Sequence, residues 1–569
     1  MLSNTAVLAA PNVLANIANP ELNARVRAND SFEAQEQKTQ HKYKLLDKRQ
    51  IKSILAYRFA KDTHTKLSQL PLPKELKDIY KAANRIKDAI AKHEKIAIVG
   101  DYDCDGVCSS AVLAEFFDDM GVNGVIVRIP NRFKDGYGLN EDIIDELKDR
   151  DLIITVDNGI TAHEAAAKCE QMGIDLVITD HHMPSETLPS ALAIVNPQQS
   201  GDTFPFKEIC GAQVAWYLVA TLKEVMDIKD YDMRKFSDLL SLAIVADMME
   251  LRDMNRVLVR EGLKHINKRT RACFEAIARH YDKTSFGFDD ISFTISPLIN
   301  SSGRMDDATL SYEFLRAKSV EQASKLFETI QDLNKARKDE EKALFEDSIK
   351  NVDESANIIV SYGHAWHEGV LGIVASRLAK LYKRPAIVFS CENGRAKGSA
   401  RSVGRFNILE LIAAQEHMLI SYGGHRGAAG VVLEEARLKE FAHIINHTCV
   451  LHNFCAIEQS DEILGTIDVR AIDMELMDII STYEPYGQKN PRPTFWLRGA
   501  KVVVVRTMGA NEAHLRLRLV KAGRSFDCVF FNFDYMPKEG EFVDVLFTLS
   551  KNTYRGAQSL QLLIQEIAY

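Results

Sequence analysis

The sequence predicts an α/β protein in three parts: a body built on a parallel sheet, a smaller α/β body reached through a long helix, and a C-terminal β-barrel. Three observations carry this. From residue 95, short β-branched runs (KIAIVG, GVIVRIP, DLIITVDNG, DLVITDHH) alternate with stretches of helix length, as parallel strands buried between helices do. Within 311–352, the stretch SVEQASKLFETIQDLNKARKDEEKALFEDSIKNV is charged, lacks Gly and Pro, and is apolar at helical spacing, which predicts a long, partly exposed helix. Beyond the Pro- and Gly-punctuated EPYGQKNPRPTF at 484–495, five strand-like runs follow in a short tail, enough to close a small barrel.

Each part is justified in turn. The chain has 569 residues, and one hydrophobic core rarely grows past roughly 250–300 residues, so several domains are expected. Residues 1–85 are charged and mixed, for example HKYKLLDKRQ, and are expected to be a helical leader with little chemistry. The parallel-sheet domain is expected over 86–310 and the connecting helix over 311–352. NIIVSYG and PAIVFS then open a second α/β unit with Gly-rich loops, expected over 353–460. A linker region is expected over 461–493 and the barrel, most simply an OB-fold, over 494–569, from AKVVVVRT, HLRLRLV, SFDCVFF, EFVDVLFTL and SLQLLIQEI.

Composition bounds the function. Apolar content of 46% and charged content of 26% are ordinary for a globular protein. No apolar run nears the roughly 20 residues that cross a bilayer, and MLSNTAVLAAPNVL lacks the basic start of a signal peptide. Nine cysteines without regular spacing fit reduced thiols in a cytoplasm better than a disulfide frame. The net charge of −8 argues against a generally basic nucleic-acid coat and leaves room for a local basic groove.

The chemistry concentrates at the ends of the apolar runs. In an open parallel sheet, ligands bind beyond the C-terminal ends of the strands. The first strand leads into Asp101, Asp103 and Asp105, the third into Asp157, and the fourth into Asp180, His181 and His182. A later apolar element, LSLAIVADMM, leads into Asp247. Unpaired, these groups repel one another and resist desolvation. Divalent cations remove both costs. Carboxylates with a histidine suit Mn²⁺, and carboxylates with water suit Mg²⁺. Six or more ligands are too many for one ion, so two are expected, the arrangement that activates a water and stabilises the leaving oxygen of a phosphoester. Taken singly, each feature has a plainer reading: a DxD is usually a solvated turn, and a His pair is usually a polar loop or helix cap. Cys104 and Cys108 have a zinc-like spacing but no second pair, and no Walker motif is present. The coincidence of four such ends in one βα series favours the metal site.

DYDCDG, TVDNG, TDHH and IVADMMELRDMNR resemble the successive motifs of the DHH phosphoesterase superfamily. HEGVLGIVASRLA at 367–379, GSARS at 398–402 and GGHRGAAG at 423–430 resemble its DHHA1 domain. With the EPYGQKNPRP linker and the five-stranded tail, the pattern from about residue 95 onward is similar to the RecJ family, single-strand-specific 5′→3′ exonucleases. Cys104 and Glu368 depart from the usual pattern at positions that are not ligands.

The resemblance implies that Asp101, Asp103, Asp105, Asp157, His181 and Asp247 hold two Mn²⁺ or Mg²⁺ ions, with Asp157 bridging, and that Asp103, Asp105, Asp157, His181 and His182 are catalytic. Asp180 and His182 would orient the site or touch phosphate. It places Arg132 near a phosphate at the mouth of the site and turns Asn300 and Arg304 toward the nucleotide. Ser399 and Arg401 would hold a terminal 5′-phosphate, with His425 in the same cleft. It implies single-stranded DNA as substrate, recombination and repair as setting, and a helicase and a single-strand-binding protein as partners. Independently, in HLRLRLV the leucines alternate with His514, Arg516 and Arg518, so one face packs a barrel and the other presents cations. Phe526, Phe530 and Tyr554 are candidates for base stacking. Three readings compete: hydrolysis of short oligonucleotides, cyclic dinucleotides or pyrophosphate, which would not need the tail; a non-catalytic replication scaffold of the same fold, which would not need the carboxylates; and a plain single-strand-binding protein, for which the metal cluster would be superfluous.

Overall fold

In the computed structural model, residues 45–404, 406–451, 463–509, 512–533, 535–554 and 557–568 are described. They form two compact units. One contains residues 61–338 with 485–490; the other contains the described residues up to 60, 339–484 and 491 onward.

The chain enters through β1 (Leu45–Leu46) and α1 (Lys48–Arg58) of the second unit. The larger unit then begins with α2 (Ile79–Lys92), β2 (Ile96–Val99), α3 (Cys104–Asp119) and β3 (Ile126–Arg128). It continues through α4 (Glu141–Glu146), β4 (Leu152–Val156), α5 (His163–Met172), β5 (Asp175–Thr179) and β6 (Ala193–Val195). The sheet order is β3-β2-β4-β5-β6, and every pairing is parallel. Strands β2 and β4 are buried at every residue, which explains their unbroken apolar runs. One face packs Ile98, Ile154 and Val177 with Ala83 of α2 and Val112 of α3. The other packs Ala97, Ile153 and Ile178 with Ile143 of α4 and Ala166 of α5.

Helices complete this unit: α6 (Gly211–Val225), α7 (Ser237–Ala246), α8 (Asp253–Lys268) and α9 (Ala272–His280). A π-helical turn at Ile291–Ile295 leads into α10 (Ser296–Met305), followed by α11 (Thr309–Leu315). The apolar run before Asp247, grouped above with the strand ends, is the helix α7, with Asp247 as its C-cap. A short, wholly buried apolar run has no periodicity to tell strand from helix. The expected long helix is α12 (Val320–Ser348), 29 residues long.

The second unit holds a mixed sheet and a barrel. The sheet comprises β7 (Ile359–His364), β8 (Ala386–Glu392), β9 (Arg395–Arg401), β10 (Leu419–His425) and β11 (Ala428–Glu434), in the order β10-β11-β9-β8-β7. Helix α13 (Glu368–Tyr382) joins β7 to β8, and α14 (Ile408–Ala413) and α15 (Leu438–Leu451) follow β9 and β11. Then come β12 (Ile463–Ile467), α16 (Met474–Thr482), β13 (Thr494–Met508), β14 (His514–Lys521), β15 (Arg524–Phe531), β16 (Phe542–Tyr554) and β17 (Ala557–Ala568). The ladder β13-β14-β15-β17-β16 returns from β16 to β13, which closes a five-stranded barrel and leaves no open edge. β1 extends it through β12, so residues 45–60 belong with the barrel rather than with the sheet domain that follows them.

Candidate metal centre and phosphate sites

Strands β2, β4 and β5 are neighbours in register, so the residues beyond their C-terminal ends meet at one sheet edge. Asp101, Asp157 and Asp180 are there, each at most 3% exposed. The turn after β2 runs straight into α3, whose N-cap is Asp103, its side chain accepting from Gly106 N–H at 3.0 Å. Asp105 is in the first turn of α3, nearly fully buried. Its two oxygens accept from the first N–H groups of α6, Gly211 at 2.6 Å and Ala212 at 2.8 Å. The positive end of a helix thus faces a carboxylate.

The ligand atoms converge. His181 Nε2 lies 3.1 Å from Asp157 Oδ1, 3.6 Å from Asp247 Oδ2 and 3.7 Å from Asp105 Oδ2. Three sets of potential ligand atoms lie within 4.8 Å of one another: Asp157, His181 and His182; Asp105, His181 and Asp247; Asp101, Asp103 and Asp157. Asp157 Oδ1, His181 Nε2 and Asp247 Oδ2 are buried with no hydrogen-bond partner. Orphaned buried polar atoms are costly, and three in one place point to a missing shared partner. Hard oxygen donors with one imidazole fit Mg²⁺ or Mn²⁺.

The electrostatics agree. Burial, reinforced by the neighbouring carboxylates, raises Asp101, Asp157 and Asp247 well above the ordinary range. The same causes bring Asp105 to about 6 even with its two amide donors. Burial, and then the charge of His182, lowers His181 to about 3, which leaves a neutral imidazole able to ligate. Burial pulls His182 down too, but its 2.7 Å hydrogen bond to Asp180 outweighs that and brings it to about 9. Asp180 is fully used: it accepts from the backbone of Ile160, His181 and His182 and from the His182 ring. It thereby holds the His181 and His182 backbone amides and the His182 ring.

The packing tolerates little change. A side chain at Gly211 would put its Cβ 2.5 Å from Asp157 Oδ1, and one at Gly106 would meet the Asp101 backbone at 2.5 Å. A Cβ at Gly303 would run into the Tyr102 carbonyl. Asp157 itself holds φ +64°, a conformation that Asp and Asn tolerate better than most residues.

Arg132 is fixed at the same edge, stacked 4.1 Å above the Tyr102 ring and donating to the Gly303 carbonyl at 3.2 Å. Asn300, expected to turn to the nucleotide, uses its Oδ1 to accept from Cys104 N–H at 2.8 Å, so it holds the DYDCDG turn. Arg304 lies one turn further along α10, half-buried.

A second set lies wholly in the other unit. Ser399 and Arg401 share one face of β9, and Arg401 Nη1 donates to Ser399 Oγ at 3.1 Å. Across the sheet, Gly430 pairs with Ser399, Ala428 with Arg401, and His425 with Ala428. Gly423 pairs with Gly430, and a Cβ at either would meet nothing within 4 Å. The result is an open trough beside Arg401. Helix α13 approaches it through Gly372, where a Cβ would fall 2.6 Å from Arg401 Nη2. His425 is exposed beside the trough.

In the barrel, Leu515, Leu517 and Leu519 are buried while Arg516 and Arg518 are exposed. Arg518 donates to Asp527 at 3.1 Å, so its charge is partly balanced. Phe526 and Phe530 are buried and fill the core instead of offering a stacking face. The side chain of Tyr554 lies outside the described set.

The residues that sequence reasoning missed are the amide donors Gly211 and Ala212, the Arg132 platform Tyr102, and Asn158. Asn158, buried, donates to the carbonyls of Val99 and Val156 and accepts from Leu139 N–H, tying β2 to β4. A glycine opening an apolar helix, as in CGAQVAW, was the available signal for the first.

Comparisons with known proteins agree with this architecture. The family model described as "DHH family, N-terminal domain" matches residues 95–244, the "DHHA1 domain" 355–450 and the "RecJ OB domain" 464–566. The chain is 33% identical to the single-stranded-DNA-specific exonuclease RecJ of Haemophilus influenzae, over 89% of this chain and 93% of that one. It is 34% identical to RecJ of Bacillus subtilis, over 89% of this chain and 65% of the relative. Among solved structures it is similar to RecJ of Thermus thermophilus in complex with Mn²⁺, with a TM-score of 0.80, 26% identity, and coverage of 93% of this chain and 79% of that one. The Mg²⁺ complex gives a TM-score of 0.74.

Proposed function

The chain belongs to the RecJ family, and from that premise we propose that it is a single-stranded-DNA-specific exonuclease that hydrolyses phosphodiester bonds from the 5′ end with two divalent metal ions. The observation that carries this is the convergence of Asp101, Asp103, Asp105, Asp157, His181 and Asp247 with three orphaned ligand atoms. These residues would hold two Mn²⁺ or Mg²⁺ ions, and Asp157 and His181 each belong to two of the three ligand groups. Bound there, such ions supply an activated water and stabilise negative charge on the reacting phosphate.

The chain's own residues do the rest. Amides of α6 hold Asp105, and Asp180 holds both histidines in their orientations. His182, kept protonated through neutral pH by Asp180, offers a charged donor to a phosphate oxygen. Arg132, braced on Tyr102, presents a guanidinium to a phosphate, which an arginine can grip in two places, and Arg304 offers a second. Ser399, Arg401 and His425 form the pocket for a terminal 5′-phosphate, and the glycine trough lets a backbone approach. A terminal phosphate carries about one charge more than an internal one, so Arg401 can tell an end from the middle of a strand. The exposed arginine face of β14 binds the strand's backbone, and a cytoplasmic setting with a helicase and a single-strand-binding protein in recombination and repair completes the reading. The eight described cysteines are all free and buried, in keeping with a reducing compartment.

The test is digestion of single strands labelled at either end, with Mn²⁺, Mg²⁺ or chelator. Metal-dependent release of 5′-terminal nucleotides is expected. Release from the 3′ end, or equal attack on duplex, overturns the assignment.

A further inference from the structure

The metal centre has two sides that no single element joins. Asp105 is held by the start of α6, while Asp247 leaves the end of α7 in a loop that runs to α8. Between them lie two side-chain amides, Gln213 and Asn255, both fully buried. Cys210 N–H donates to Gln213 Oε1 at 3.0 Å, Gln213 Nε2 donates to Asn255 Oδ1 at 2.9 Å, and Asn255 Nδ2 donates to the carbonyls of Glu208 at 2.6 Å and Glu250 at 3.1 Å.

The direction of this chain is fixed by its ends. Carbonyls only accept, so Asn255 must present its NH₂ to Glu208 and Glu250. Its oxygen must then accept from Gln213, whose own oxygen is left for the Cys210 amide. Each link is a buried group that costs free energy if unmatched. At one end, Cys210 is the N-cap of α6, and Gln213 closes the cap. That sets the direction of the next two N–H groups, Gly211 and Ala212, which grip Asp105. At the other end, Glu250 stands three residues after Asp247. The next residue, Leu251, donates its N–H to the Gln488 carbonyl at 2.9 Å, and Leu251 lies against Gly487, within the 485–490 segment that belongs to this unit.

We infer that Gln213 and Asn255 are positioning residues that lock the Asp105 side of the metal centre to the Asp247 side, so that the two carboxylates stand at a spacing that ions can bridge. This rests on the metal reading above. Outer partners of this kind typically change metal affinity about 10–100-fold when removed.

The test titrates Mn²⁺ calorimetrically into the full-length, metal-free protein and its Gln213→Leu, Asn255→Ala and double variants, with circular dichroism to verify folding. Each single variant is expected to bind Mn²⁺ about 10-fold or more weakly. The Mn²⁺ concentration for half-maximal nuclease rate should rise by the same factor, while KM for DNA at saturating Mn²⁺ stays within about twofold. The double variant should be no weaker than the weaker single one, because both break one chain. Gln213→Leu decides the matter if Asn255→Ala fails to fold, since it leaves Asn255's bonds to Glu208 and Glu250 in place, and Gln213→Met, which removes the donor to Asn255 with a side chain of similar length, stands in if the leucine variant does not fold. Folded variants that bind Mn²⁺ like the parent overturn the inference. A parent that binds no Mn²⁺ overturns the metal reading instead.

Discussion

Asp157→Asn should stabilise the metal-free protein and abolish its catalysis. Asp157 is 1% exposed, its Oδ1 has no hydrogen-bond partner, and Asp105, Asp103, Asp101 and Asp247 all push its carboxyl upward. Asparagine keeps the shape, removes the charge, and accepts φ +64° about as readily as aspartate. Alanine would confuse the result, since it adds backbone strain of roughly 1 kcal/mol at positive φ. Relief of one unmatched buried charge is worth about 1–3 kcal/mol. At about 2–4 °C per kcal/mol for a body of this size, the metal-free Tm should rise by about 2–12 °C.

With Mn²⁺ the gap should close. Ions at 100 times their Kd add about 2.7 kcal/mol to the native state, so the parent gains about 5–10 °C by the same conversion. The variant, lacking the shared carboxylate, should gain little. Turnover should fall by about 10³-fold or more, about 4 kcal/mol at 1.4 kcal/mol per decade. The assay is differential scanning calorimetry with and without Mn²⁺, alongside single-strand digestion. A metal-free Tm that drops, or near-normal turnover, would refute the reasoning that this carboxylate is held against its own stability to bridge two ions.

Four further outcomes are expected. Gly211→Ala should lose Mn²⁺ affinity while keeping its circular dichroism spectrum, because the new Cβ would sit 2.5 Å from Asp157 Oδ1. The stabilisation that Mn²⁺ confers should grow as pH rises through about 6. Asp105 holds its proton up to about 6, so between its unfolded value near 4 and that point the metal-free native state binds more protons than the unfolded state, and its stability falls as pH rises; melts at pH 5 and 7.5 check this. Arg401→Ala should cost on the order of 2–4 kcal/mol in kcat/KM on 5′-phosphorylated strands and much less on 5′-hydroxyl strands; an unchanged ratio of the two would move 5′-end recognition to Arg132 or Arg304. Arg516→Ala should flatten the plot of log K against log salt by roughly 0.7 per lost contact, measured by fluorescence anisotropy on a long single strand, with Arg518→Ala doing less because Asp527 already balances it.

How much of this was legible in the sequence depended on whether a signal was local. The strands β2, β4 and β5 announce themselves because burial on both faces demands unbroken apolar runs, and the carboxylates that follow them stand out because nothing in a core explains them. Asp247 was placed rightly beside the others but on the wrong kind of element, since a short, buried, mostly apolar run reads alike as strand or helix. The amide clamp on Asp105 could not be read, because it joins residues more than a hundred positions apart through backbone groups that every residue has. The Gln213–Asn255 link could not be read either, because it pairs two side chains 42 positions apart that no local pattern connects. Phe526 and Phe530 show the opposite failure: an aromatic in a small barrel is more useful as core than as a stacking face, and alternation alone does not say which face closes inward.

The centre is built against its own stability, and that is what identifies it. Asp101, Asp105 and Asp157 are nearly inaccessible to solvent, a neutral His181 stands among them, and glycines at 106 and 211 let helices press close enough that no side chain could intervene. A fold selected for stability alone would replace such a cluster with apolar side chains, since buried unmatched charge is commonly outcompeted by simple packing. Here the nearby donors are engaged elsewhere: the His182 ring donates to Asp180, and Arg132 is engaged with Tyr102 and the Gly303 carbonyl. Only a small, doubly charged, oxygen-seeking ligand entering from solvent satisfies Asp157 Oδ1, His181 Nε2 and Asp247 Oδ2 together. The acids are therefore half of an interaction whose other half is divalent cations.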